Sequence, residues 1–377
     1  MTHKNSSANR IFFALLVVAF ILAACQSNAS TVAITETASP VATDTPIVPT
    51  IVPSPTVVVT PPELPVTFQS TILNSLDTPH SYIKDSCQYL KNKWDSANAK
   101  PGTVVMIIMI KGIYKGWTEE AGGINFNDLK KIMQELKRQN FEAINTKQLL
   151  AFLEQNTYIP PRSVMIIQDG NRQYENFDEH LRKYWEDWKW PVVNGWISQP
   201  GISETLWVDN AGLESTGFVD HQPSGVMFGT LLSDNSSAAV IDKELQGSVD
   251  AFDKRFGKKP IAFIWQGGGF GQKTVEAARK LNYQLGFTSN SRGPVMYNWI
   301  PLADELDPAR PVYIPEGKIE DPLMTLPRYW PSEAFVQIDN VRAISKQAIA
   351  YAEANKKTEM EYYNIVCAPT YGKITTP

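Results

Sequence analysis

From Val104 onward, short apolar runs alternate with amphipathic stretches. Val104–Ile110 is an apolar run of strand length. In 126–140, Leu129, Ile132, Met133 and Leu136 recur at the i, i+3, i+4 and i+7 spacing of one helix face. Residues 143–145 form a short strand candidate, after which Thr146 is placed to cap a helix beginning at Lys147. Residues 163–168 read as a strand, and 176–189 as a helix with Phe177, Leu181, Tyr184, Trp185 and Trp188 on its apolar side. Further strands are expected at 192–197, 217–220, 261–265 and 285–288, and helices at 237–256, 272–281 and 341–355. Such alternation implies parallel strands, because each parallel pair needs a crossover connection. With about seven strands and no open-sheet fingerprint, the expected fold is α/β, a (β/α) barrel, whose chemistry would sit at the C-terminal ends of the strands.

The N-terminal region is of another kind. Lys4 and Arg10 precede an uninterrupted apolar run, Ile11 to Ala24. That run is shorter than the roughly 20 residues a spanning helix needs, and it fits the apolar core of a secretory signal. It ends in Leu22-Ala23-Ala24-Cys25, which looks like a bacterial lipobox: small residues admit a peptidase, and the Cys25 thiol takes the lipid. The alternative is an ordinary cleaved signal with an incidental cysteine. From Ser27 to about Val66 the chain is mostly Thr, Pro, Val, Ser and Ala, with no Lys or Arg between Arg10 and Lys84. A segment of this composition cannot build a core and is expected to be an extended tether. The organisation is therefore 1–24 signal peptide, 25–79 lipidated cysteine and tether, and 80–377 folded domain, exported and held at a cell surface or in a periplasm.

A formal net charge of −4 and the lack of any basic cluster argue against a nucleic-acid partner. Cys87 and Cys367 are the remaining cysteines. In an oxidising compartment they can pair, closing a loop worth roughly 5 kcal/mol on the chain-entropy model; two buried free thiols are the alternative. The stretch from Gly267 to Thr274 fails the phosphate-loop pattern, because Lys273 does not directly follow the last glycine. It reads as a strand-to-helix turn with room for a ligand above it. Trp196, Trp265 and Trp330 lie near expected strand ends, where they could stack on sugar rings or fill the core. Arg328, between aromatics in Leu326-Pro327-Arg328-Tyr329-Trp330, suits a sugar or a carboxylate, or supports a strand end.

Several strand ends together carry a family likeness. Ser163-Val164-Met165-Ile166-Ile167-Gln168-Asp169-Gly170 is similar to a strand ending in Thr-Phe-Asp-Asp-Gly. The run from Gly217 to Phe228 is similar to one ending in His-Ser/Thr-x-x-His, and 261–269 to one reading Phe-Ala-Tyr-Pro-Tyr-Gly. Asn282-Tyr283-Gln284-Leu285-Gly286-Phe287-Thr288 is similar to Gly-Tyr-x-x-Ala-Phe-Thr. In this order the motifs resemble those of the polysaccharide deacetylases of the NodB type, over roughly Pro101 to Tyr371. The resemblance implies a distorted, incomplete (β/α) barrel. It also implies a divalent metal such as Zn held by one Asp and two His, a second Asp as general base and a later His as general acid.

The chain departs from that pattern at most of these positions. The base corresponds to Gln168, the metal Asp to Asp169, and the two metal His to Ser224 and Phe228. Lys111 stands where related first strands tend to end in His. Only four His occur, His3, His80, His180 and His221; no two have His-x-x-x-His spacing, and none follows His221. Rescue of a metal site by Asp169 and His221 would supply two protein ligands where catalytic sites normally use three. No catalytic residue is assigned. The expected function is glycan or cell-wall polymer binding by Asp169, Trp265, Gln266, Arg328 and Trp330, without a cofactor. An active metal-dependent N-deacetylase and a solute-binding lipoprotein, which would need two similar lobes, are the alternatives.

Overall fold

A computed structural model describes residues 60–170 and 173–375; the signal, Cys25 and the first part of the tether lie outside the described residues. Four strands, β1 (Val104–Ile110), β2 (Arg162–Asp169), β3 (Val192–Trp196) and β4 (Val219–Pro223), pair in parallel in that order. Two more, β5 (Ala262–Ile264) and β6 (Leu285–Phe287), form a separate parallel pair. The two groups are joined by side chains where a backbone ladder is absent. Gln222 Oε1 accepts from the N–H groups of Ile261 and Ala262, both at 3.1 Å, and the Ser224 hydroxyl donates to the Ile264 carbonyl at 2.8 Å. On the other side, Leu326 N–H donates to Gly286 O at 2.8 Å and Tyr329 N–H to Ile107 O at 2.7 Å. The succession thus returns to β1 through the irregular chain 326–329, as a distorted barrel with two weak seams.

Strand alternation then sorts the apolar residues into two layers. Val105, Ile107, Met165, Ile167, Val193, Ile264, Leu285, Phe287 and Leu326 form one buried cluster, which fills the interior of the ring. Their neighbours Val104, Met106, Ile108, Ile110, Val164, Ile166, Val192 and Val219 pack outward against helices. The helix Phe126–Arg138 buries Leu129, Ile132, Met133 and Leu136, the face its periodicity marks out.

Several elements differ from the sequence-based expectation. Asn145 caps the helix Thr146–Gln155: its side chain accepts from Gln148 N–H while the Gln148 side chain accepts from Asn145 N–H, so Thr146 is the first helical residue. The helix expected over 176–189 is two, Tyr174–His180 and Arg182–Trp188, broken at Leu181. The strand expected at 217–220 is displaced to β4, because Gly217 takes a positive φ of 74° and serves the preceding turn. The last long helix runs Pro331–Tyr362, with proline at the start, where a missing N–H costs nothing. Helices Ser86–Trp94 and Glu204–Ser215 were not anticipated; in the second, the buried stripe Trp207, Asn210 and Leu213 includes a polar residue that hides its periodicity.

The domain also begins earlier than residue 80. Phe68, Ile72 and Leu73 pack on the outer cluster. Asp77 lies 2.9 Å from Arg292 and 2.8 Å from Arg310, and Arg292 also meets Glu316 at 2.8 Å. The Arg292, Asp77 and Glu316 side chains are at most 1% exposed. At the other end, Cys87 and Cys367 are disulfide-bonded, tying the helix Ser86–Trp94 to the C-terminal segment. Among the described residues no helix is long and apolar enough to cross a membrane.

Removing one member of a buried ionic cluster leaves uncompensated charge. Arg292→Ala should therefore lower unfolding free energy by about 3–5 kcal/mol in urea titrations; a loss below about 1 kcal/mol would show that Asp77 and Glu316 are solvated after all.

Candidate functional site

The C-terminal ends of the strands bring Asp169, Arg328, Lys111 and Trp330 to one end of the barrel. Asp169 follows Ile167 on the inward face of β2, and Arg328 follows Leu326 in the segment that closes the ring. The Arg328 guanidinium donates to both carboxylate oxygens of Asp169, Nη1 at 2.6 Å and Nη2 at 3.2 Å, while its Nε donates to the Thr288 carbonyl. The Arg328 side chain is fully buried and that of Asp169 is 17% exposed. A guanidinium taken out of water is tolerable only when paired and hydrogen-bonded, and these three bonds meet that requirement. They link the ends of β2 and β6 to the closing segment.

Beside this pair, Lys111 Nζ lies 5.2 Å from the centre of the Trp330 ring, within the range of a cation–π contact. The half-buried Trp330 donates its indole N–H to the Ser289 carbonyl at 2.9 Å. The most exposed large aromatic in the loop after β1 is Trp117, 79% exposed. It was not singled out in the sequence, although an indole amid Lys, Gly and Glu has few core partners nearby.

Other expected ligand contacts are engaged elsewhere. Trp265 is fully buried against Phe263 and donates its indole N–H to Met324 O at 2.9 Å. Gly286 makes this packing possible, since a Cβ there would sit 2.7 Å from the Trp265 indole nitrogen. Trp265 therefore offers no face to a sugar. Trp196 is likewise buried, with its ring 4.7 Å from that of Trp207. The Gln266 amide is consumed in holding the loop after β4: its nitrogen donates to Ser224 O and Met227 O at 2.6 and 2.9 Å, and its oxygen accepts from Gly229 N–H at 2.8 Å.

The residues matched to catalytic positions do not assemble a metal centre. Alternation places Gln168 on the outward face of β2 with Val164 and Ile166, opposite Asp169; it is 2% exposed, and its Oε1 has no hydrogen-bond partner. Ser224 is 2% exposed with its hydroxyl given to Ile264, and Phe228 is an apolar ring 75% exposed. His221 faces outward, its Nδ1 2.9 Å from Glu214 and its Nε2 3.1 Å from Asn210, with its ring stacked on Phe256. Among the described residues no group of three His, Cys, Asp or Glu side chains is placed to hold a metal ion. The one matching carboxylate, Asp169, already has a cation on both oxygens. A divalent metal does not fit this donor set.

No family model and no curated protein matches the chain. Solved structures do. The Streptococcus pyogenes deacetylase PplD, determined in complex with acetate, superposes with a TM-score of 0.50 at 17% identity, covering 63% of this chain and 97% of that one. A polysaccharide deacetylase from Bacillus cereus gives a TM-score of 0.48 at 16% identity, over 63% of this chain and 68% of that one. The chain has a deacetylase fold. The likeness read from the strand-end motifs therefore holds for the architecture, and the departures at Gln168, Ser224 and Phe228 lie within a deacetylase-fold domain.

His221 makes part of this scaffold sensitive to acid. Burial pushes its imidazole below the ordinary value of 6.5, outweighing the Glu214 carboxylate, which pushes it up. Burial pushes Glu214 up, but the bond from His221 and the charge of Lys258 bring it below the usual 4.5. In both cases the unfolded chain binds more protons than the folded one, so stability falls as pH drops, first below the unfolded histidine value and later below the glutamate value. His221→Gln should flatten the loss between about pH 7 and pH 5.5. Urea midpoints of variant and parent that fall in parallel over that window would place the titrating group elsewhere.

Proposed function

We propose that this chain is an exported lipoprotein whose deacetylase-fold domain binds a cell-wall or extracellular glycan without deacetylating it. The observation that carries the reading is the Arg328–Asp169 pair. The carboxylate that matches a metal ligand is neutralised by a buried guanidinium, and the positions matched to the other ligands hold a committed hydroxyl and an exposed phenyl ring. What remains at this end of the barrel suits recognition. Trp117 and Trp330 present indole rings, Lys111 an ammonium, and Asp169 a partly exposed carboxylate. Aromatic faces with a few fixed polar groups are the usual makeup of a ligand site. Cys25 would carry the lipid, and the segment after it would give the domain reach.

Purified protein prepared without chelator should contain far less than one equivalent of Zn, Co or Ni. It should also release no acetate from chitin-type oligomers above a heat-inactivated control. In pull-downs on cell-wall and chitin-type polymers, Trp117→Ala and Lys111→Ala should each reduce retention several-fold while leaving the unfolding free energy within about 0.5 kcal/mol of the parent's. Stoichiometric metal together with acetate release that depends on Asp169 would overturn the reading.

The anchor has its own test. Cys25→Ser should shift the protein from the membrane fraction to the soluble fraction, or stall its processing. Membrane attachment equal to that of the parent would place the anchor elsewhere.

A further inference from the structure

A second concavity lies at the other end of the barrel, where the strands begin. Gly102 and Thr103 lead into β1, and Met296–Trp299 follows Val295, which bridges Val105. Between these segments, the helices Ser86–Trp94 and Pro331–Tyr362 and the stretch 65–68 is a cavity of about 140 Å³. Its size is close to the ~150 Å³ of an engineered apolar cavity that takes up benzene. Six aromatic side chains contribute to its walls: Phe68, Tyr89, Phe152, Tyr297, Trp299 and Tyr351. Tyr89 and Tyr297 are stacked at 5.8 Å, as are Phe68 and Trp299.

Most polar groups around the cavity already have partners. Asn298 Oδ1 accepts from the N–H groups of Tyr82 and Ile83, and Asn156 Nδ2 donates to the carbonyls of Asn92 and Ala99. Asn92 donates to the Tyr297 hydroxyl. Trp299 donates its indole N–H to Phe68 O, and the Tyr351 hydroxyl donates to Val66 O. Lys93 and Glu359 pair at 2.8 Å, and Glu359 also accepts from the Trp94 indole. Thr67, Ser81 and Lys100 lie exposed at the rim, and among the lining side chains that are not exposed two hydroxyls stand apart. Thr103, 4% exposed, has a hydroxyl with no hydrogen-bond partner, and the Tyr89 hydroxyl makes none with the described residues. Burial pushes the Tyr89 phenol upward, so it stays protonated and able to donate.

This balance decides the ligand class. A pyranose would bury several hydroxyls against groups already bonded, each at a cost in desolvation. A flat, mostly apolar ring with one polar substituent would stack on the walls and use a single free hydroxyl. We propose that the cavity is a binding site for a small planar aromatic molecule of the phenol or indole class, separate from the Asp169 end of the barrel and independent of any glycan binding there.

Thermal unfolding of the whole domain with phenol, indole, toluene and N-acetylglucosamine tests this. Phenol and indole should raise Tm saturably, by about 2 °C or more near saturation, and N-acetylglucosamine should not. Ala352→Leu, which adds bulk to the cavity wall, should abolish the phenol shift. Tyr89→Phe, which keeps the ring and removes the hydroxyl, should weaken phenol about tenfold and leave toluene unchanged. No shift with either phenol or indole would overturn the proposal. So would a shift that survives both substitutions, or an equal response to N-acetylglucosamine.

Discussion

A guanidinium buried at the end of a barrel needs a partner with geometry to match, and Arg328 has two: the carboxylate of Asp169 and the carbonyl of Thr288. The segment that carries it, 326–329, is an irregular part of the ring. It meets its neighbours through isolated bridges and not through a full ladder. Three charge-assisted or carbonyl bonds from one side chain compensate there, since a forked cation can engage a carboxylate with two donors and still have a third for a backbone group. The same contact occupies both carboxylate oxygens at that end. A carboxylate already matched by a fixed cation has little to offer a mobile one.

The opposite seam, between β4 and β5, is closed by a different device. One amide oxygen, that of Gln222, stands in for a strand edge by accepting from two successive N–H groups. The adjoining loop is then held by the amide of Gln266 and by Glu244, whose carboxylate accepts from Val226 and Met227. Ser224, matched to a metal-ligand position, serves the same seam through its bond to the Ile264 carbonyl.

Much of the architecture is legible in the sequence. The apolar run 104–110 and the helical stripe through Leu129 and Leu136 are local signals, and local periodicity is what a sequence displays most directly. The order of strand-end motifs was enough to indicate the fold. The boundary errors have local causes too: a cap chosen one residue late at Thr146, a break at Leu181, a glycine turn at Gly217. The site was less legible because its key facts are pairings across the chain. Asp169 and Arg328 are 159 residues apart, and nothing in either neighbourhood reveals that they meet. Trp265 and Trp196 have the composition of stacking platforms, but strand alternation turns both toward the helices. Gln168 and Asp169 are adjacent in sequence and divided by the same alternation. Residues 60–79 carry too little periodicity to announce that Phe68 and Asp77 belong to the core.

That N-terminal stretch has a mechanical consequence. It is fastened to the long C-terminal helix by the Tyr351 hydroxyl, which donates to Val66 O, and by the Ser70 hydroxyl, which donates to Gln347, and to the barrel's lower rim by the Trp299 indole. The ion cluster at Asp77 is the next fastening along the chain. Tension applied at residue 60 would be taken up by these attachments in turn and spread into the helix and the Arg292 cluster before it reached β1. That cluster is tied in turn to the mouth, because Asn290 donates to Glu316 and accepts from the Arg328 N–H, so a pull on the leading segment would be felt at the Asp169–Arg328 pair only after it had loaded these fastenings.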